Sequence, residues 1–117
     1  MDDKTLDPAI MAQFTGSENL YRHIMGTTYT DGVKYVADTM GAYWLLDLIV
    51  SHQLDKKVRK EGFQVWKLVV TGTKAKAICE DGDGEVVVTQ SIPYTDFPAP
   101  GITLWFANKT IFLPSEY

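Results

Sequence analysis

Apolar residues recur every three or four positions before Gly62 and at every second position from Phe63 onward. The first period belongs to helices and the second to strands. The alternating half is rich in β-branched and aromatic residues and predicts strands over 63–71, 74–80, 85–92, 102–107 and 110–113. Gly72-Thr73, Asp81-Gly82-Asp83-Gly84 and Asn108-Lys109 separate them with the lengths and residue types of hairpin turns. No crossover helix fits between these strands, so an antiparallel meander is expected rather than a parallel sheet.

In the first half, Asp31 is placed to cap a long helix whose apolar positions include Val33, Val36, Ala37, Met40, Tyr43, Trp44, Val50 and Leu54. This helix is predicted over 31–54. Gly41 lies inside it at a cost of about 1 kcal/mol relative to Ala, marking a kink or a close approach to another backbone. Asp7 and Pro8 signal a short N-terminal helix over 9–14. Residues 17–23 suit a short strand or a helical turn equally. The expected class is α+β: an antiparallel meander of about five strands, one long helix packed on a face and a short N-terminal helix.

The stretch from Ala42 to Val50 is apolar except for Asp47. At about 100° per residue along a continuous helix, Asp47 falls in the middle of the stripe holding Val36, Met40, Tyr43, Trp44 and Val50, so its carboxylate is expected to point inward. A buried acid must take hydrogen bonds or a proton. A structural acid tying helix to sheet is the expected reading, and a general acid or base is the alternative. Strand 63–71 is apolar on both sides apart from Gln64 and Lys67, which predicts an interior strand covered on both faces. The N-terminal segment or a second copy of the chain would supply the second cover, and a two-fold homodimer is expected.

With 117 residues, 45% of them hydrophobic, the chain is long enough for one domain over 1–117 and one core, with disorder, if any, confined to 1–6. A net charge of −4 argues against a nonspecific nucleic-acid binder. The basic cluster Lys56, Lys57, Arg59, Lys60 follows the long helix, where cations complement the helix dipole. Cys79 is the single cysteine and reads as a small buried hydrophobe on a strand. Met1-Asp2-Asp3-Lys4 has no signal-peptide pattern, and no apolar run reaches the ~20 residues of a bilayer span, so a cytoplasmic location without membrane contact is expected.

Candidate chemistry is sparse. His23 and His52 lack metal-ligand spacing, Glu80-Asp81-Gly82-Asp83-Gly84-Glu85 lacks the calcium-loop ladder, and no glycine pattern cradles phosphate. No catalytic residue, metal or cofactor is therefore expected. The tripeptide Tyr-Thr-Asp occurs twice, at Tyr29-Thr30-Asp31 and Tyr94-Thr95-Asp96, both at element ends. Asp31 reads as a cap and Asp96 as a turn initiator, with a shared binding surface as the alternative. The binding candidates are Tyr29, Asp31, Asp47, Tyr94 and Asp96.

Several strings are familiar together: Phe14-Thr15-Gly16-Ser17-Glu18-Asn19, Tyr21-Arg22-His23, Tyr29-Thr30-Asp31-Gly32-Val33-Lys34-Tyr35, Gly41-Ala42-Tyr43-Trp44-Leu45-Leu46-Asp47, Phe63-Gln64-Val65-Trp66 and Leu113-Pro114-Ser115-Glu116-Tyr117. Spanning most of 13–117, they resemble a small family of unknown function found in bacteria, phages and mobile elements. That resemblance implies no activity. It implies a small prokaryotic or phage accessory protein that works by binding a protein partner, and by analogy of class an inhibitor of a host defence system such as a CRISPR nuclease. The alternative is a small-molecule binder or small enzyme with a pocket between helix and sheet that uses Asp47.

Overall fold

The computed structural model describes residues 6–15 and 19–117. The expectations for residues 1–6 therefore fall, Leu6 apart, outside the described residues, as do Gly16, Ser17 and Glu18. Helix α1 (Pro8–Met11) is shorter than expected but starts as expected: Asp7 Oδ1 accepts the Ala9 N–H at 2.9 Å, with Pro8 in the first turn.

The single long helix is not formed. Instead α2 (Asp31–Met40) ends at Gly41, whose φ of +61° is left-handed, and α3 (Tyr43–Ser51) begins two residues later. The Ala42 N–H turns back to the Ala37 carbonyl at 2.9 Å, a closure that needs the left-handed residue. A continuous helix over 31–54 would be about 36 Å long. Left-handed Gly41 divides that length into α2 and α3, which both pack on the sheet core. Breaking at Gly41 also resets the helical phase. Leu45, Leu46, Leu48, Ile49 and Val50 become the buried side of α3, and Asp47 turns outward with its side chain 59% exposed. The inward projection of Asp47 is thereby overturned.

A 3-10 turn over His52–Leu54 leads into α4 (Lys56–Arg59), which Asp55 caps by accepting the Lys57 N–H at 2.9 Å. Arg59 Nη1 donates to the Gln53 and Leu54 carbonyls at 3.1 and 3.4 Å, so one cation of the basic cluster does serve a helix end.

Seven strands form one sheet: β1 (Leu20–Arg22), β2 (Thr28–Thr30), β3 (Phe63–Thr71), β4 (Lys74–Glu80), β5 (Val86–Ile92), β6 (Gly101–Ala107) and β7 (Thr110–Phe112). Their order is β1-β2-β7-β6-β3-β4-β5, and β2 runs parallel to β7. The sheet is therefore mixed: the expected antiparallel neighbours β3-β4-β5 and β6-β7 form, but β6 pairs with β3 instead of β5. The segment 93–100 carries Phe97 into the core and delivers β6 to the far edge of β3, where Val69 pairs with Gly101. Part of the ambiguous stretch 17–23 resolves as β1. The other short N-terminal strand, β2, has no counterpart among the expected elements, because three residues are too few to show a period.

Helices α2, α3 and α4 lie over one face of the sheet. Gln64, Trp66, Leu68 and Val70 point into it from β3, opposite Ala75, Ala77 and Cys79 of β4 and Leu104 and Phe106 of β6. Gln64 is the polar exception. Its amide donates to the Val58 carbonyl at 3.0 Å and its Oε1 accepts the Trp66 indole N–H at 2.9 Å.

Candidate functional site

Successive side chains of a strand point to opposite faces, so the residues between those core positions line the other side of the sheet. That side carries Phe63, Trp105 and Phe112, with Tyr117 laid across them. The Phe63 and Trp105 ring centroids are 5.2 Å apart, Trp105 and Tyr117 5.4 Å, and Phe112 and Tyr117 stack at 6.1 Å. The three strand aromatics are half-buried, whereas Tyr117 is 84% exposed. The expectation that β3 is covered on both faces is therefore corrected: among the described residues the helices cover one face, and Val69, in mid-sheet on the other, is 45% exposed.

The charged residues of the seven strands are Arg22, Lys67, Lys74, Lys76 and Glu80. By alternation all five point to the uncovered face. Glu80 is paired with Lys67 at 3.1 Å, so this face carries an excess of positive charge in a chain whose net charge is −4, with the aromatic cluster at the Phe63 end of β3 and Lys74 and Lys76 toward its Thr71 end. The sequence signal for this surface was the apolar character of both sides of strand 63–71. What it lacked was Trp105, Phe112 and Tyr117, which only the β3-β6-β7 pairing brings beside Phe63.

Three of the five candidate residues meet elsewhere, at the β1 edge beneath α2 and α3. Tyr29 is buried, its ring 5.5 Å from Tyr21 and 6.1 Å from Tyr43. Asp31 does not cap α2. Thr30 does, accepting the Val33 N–H, while Asp31 Oδ1 accepts the Tyr21 hydroxyl at 2.8 Å. That bond raises the Tyr21 phenol above its ordinary range. Asp47 Oδ1 accepts from His23 Nε2 at 2.7 Å, and the His23 ring stands edge-on to Tyr29. Nearby, Lys34 and Tyr43 both donate to Asp38. These bonds hold the Asp38 carboxyl below its usual value and push the Lys34 ammonium and the Tyr43 phenol up. Each of these carboxylates is held by a neighbouring donor. The arrangement braces the β1-β2 edge against the helices.

Tyr94 and Asp96 do not join that cluster. Both are exposed in the segment after β5 and share a shallow depression with Trp44 and Ile92. In both Tyr-Thr-Asp copies the middle residue is buried and caps the backbone: Thr30 Oγ1 accepts the Val33 N–H, and Thr95 Oγ1 accepts the Phe97 N–H at 3.1 Å. The repeat thus reflects two local backbone caps, with threonine doing the work assigned to Asp31 and Asp96.

A cavity of about 360 Å³ does open between the helices and the sheet, without Asp47. Gln53, Gln64, Arg59 and Asn108 supply polar atoms to it, and Val50 and Phe106 apolar walls. The Gln53 and Gln64 amides bond to each other twice, at 2.8 and 2.9 Å. Cys79 is fully buried in the core, and burial pushes its thiol up to about 12. Among the described residues no group of three or more His, Cys, Asp or Glu could hold a metal ion, and no helix is long and apolar enough to cross a membrane.

The strings that carry the resemblance are thus spread through every layer: α2, α3, β3 and the C-terminal turn. A family model covers them together, matching residues 8–117. The chain belongs to DUF6876, a family of unknown function. Neither a curated protein nor a solved structure matches it.

Proposed function

We propose that this protein is a small accessory module of prokaryotic or phage origin that acts by binding another protein, and that it docks through the uncovered sheet face. The observation that supports this reading is the Phe63, Trp105, Phe112 and Tyr117 cluster on the same sheet face as Arg22, Lys67, Lys74 and Lys76, the last two toward the opposite end of β3. Aromatic anchors with a charged rim are the composition of binding hot spots. The excess of cations selects an acidic protein surface as the occupant. A second copy would oppose cation to cation, and nucleic acid would meet the repulsion of a chain at −4. Inhibition of a host-defence nuclease is the narrower form of this proposal.

The test is affinity capture from a prokaryotic lysate with the wild-type chain, Trp105→Ala and the double variant Lys74→Glu, Lys76→Glu. A protein retained by wild type, lost from both variants and released by salt supports the reading. Capture that ignores both variants, or material removed by nuclease, overturns it.

Small-molecule binding is the second reading, favoured by the cavity that Gln53, Gln64 and Arg59 line. It replaces the Asp47-based pocket, since Asp47 faces solvent. A fragment screen by ligand-observed NMR, repeated on Arg59→Ala, decides it.

A further inference from the structure

The last strand of the sheet, β5, pairs with β4 alone among the described residues. Its seven residues, Val86-Val87-Val88-Thr89-Gln90-Ser91-Ile92, include no charge, no proline and no glycine. Natural edge strands are usually kept from pairing by lysine, proline, a bulge or shortness. The opposite edge has such protection, since β1 is three residues long and carries Arg22. On β5 the register shift sits at one end, beside Cys79 and Glu80, and the stretch 88–92 stays regular. Val86 is 60% exposed, and Val87, Val88 and Ile92 are half-buried, so the edge presents both open backbone groups and apolar side chains.

We infer that β5 is the seam of a homodimer, pairing antiparallel with β5 of a second copy of this chain about a two-fold axis normal to the sheet. Charge selects both the occupant and the direction. The Val86 end of β5 is flanked by three acids, Asp81, Asp83 and Glu85, and the Ile92 end by the cations Lys74 and Lys76 of β4 against the single acid Asp96, with Ser91 opposite Lys76 and Ile92 opposite Ala75. Antiparallel pairing lays the acidic end of each copy alongside the basic end of the other. The partner's β5 then lies about 10 Å from β4, two strand spacings away, which is within the reach of surface electrostatics at physiological salt. Parallel pairing would bring the two acidic turns together. The uncharged strands themselves meet without repulsion. The two uncovered aromatic faces end up on the same side of one continuous sheet, so a dimer would offer its partner two docking sites at once.

The experiment is light scattering over a concentration series on wild type, Thr89→Lys and Trp105→Ala, with hydrogen exchange of 86–92 followed at the same concentrations. Thr89 is exposed, so the lysine leaves the core untouched, and an unchanged melting temperature at low concentration confirms an intact fold. The expected result is a wild-type dimer whose β5 amides lose protection on dilution, weakened at least about tenfold by Thr89→Lys and unaffected by Trp105→Ala. A wild type that stays monomeric at every concentration overturns the inference. So does a dimer that ignores Thr89→Lys, or one that Trp105→Ala dissolves, which would place the second copy on the aromatic face.

Discussion

The backbone N–H of Gly32 donates to Glu116 Oε2 at 3.2 Å, which brings the last turn of the chain onto the first turn of α2 across 84 residues. The same carboxylate accepts the Thr30 hydroxyl at 2.6 Å and the Leu113 N–H at 2.8 Å. An anion at a helix N-terminus satisfies orphan donors and complements the dipole. Glu116→Ala is therefore expected to cost about 1–3 kcal/mol, read by urea denaturation.

Gly32 shares that site for a steric reason. A Cβ there would stand 2.6 Å from Leu113 Cδ1 and 2.9 Å from Glu116 Oε1. Gly32→Ala should destabilise although alanine is the better helix former. Because Glu116→Ala vacates part of the space, the double variant should lose less than the sum of the singles. Strict additivity in a denaturation cycle would refute the close approach.

Asp47 is predicted to be a minor contributor to stability. It is an exposed partner of His23, and exposed ion pairs are worth about 0–1 kcal/mol. Asp47→Asn and Asp47→Ala should both melt close to wild type and retain partner capture. A loss above about 2 kcal/mol for the alanine variant would restore the inward-facing placement.

Gly101 holds the junction between β6 and β3. Its φ is +112°, and a Cβ would fall 1.7 Å from the Leu68 carbonyl oxygen, an overlap that only backbone movement can relieve. Gly101→Ala should be the most damaging of these glycine changes, at about 3 kcal/mol or more. It should also loosen the β3-β6 pairing, measurable as faster exchange of the β6 amides.

Cys79 makes an alkaline prediction. Its thiol is raised by burial from an ordinary value near 9 to about 12, so the folded state holds the proton more tightly than the unfolded state. The stability this contributes is complete below about pH 9 and is lost as pH rises toward about 12. The raised Tyr43 phenol adds a loss of the same sign above its ordinary value near 10. Cys79→Ala should shallow the alkaline decline, and the native thiol should resist a disulfide reagent at pH 8 until the chain unfolds.

Local signals carried the strands of the second half, their turns and the start of α1, because period, turn chemistry and capping are set by neighbours a few residues apart. The burial of Cys79 was legible for the same reason. Position 41 was legible as a glycine, but whether it kinks or ends the helix depended on how α2 and α3 pack on the core, and with that went the phase of Asp47. Strand order could not be read either: β6 follows β5 in the chain but pairs with β3 because the segment 93–100 buries Phe97 and spans the intervening strands. That single choice assembles Phe63, Trp105, Phe112 and Tyr117 into one surface. The sequence by itself determined which segments alternate and which carry apolar residues on both sides. Only the tertiary structure decided which of those sides the helices cover, since they pack across strands whose order no local interaction specifies.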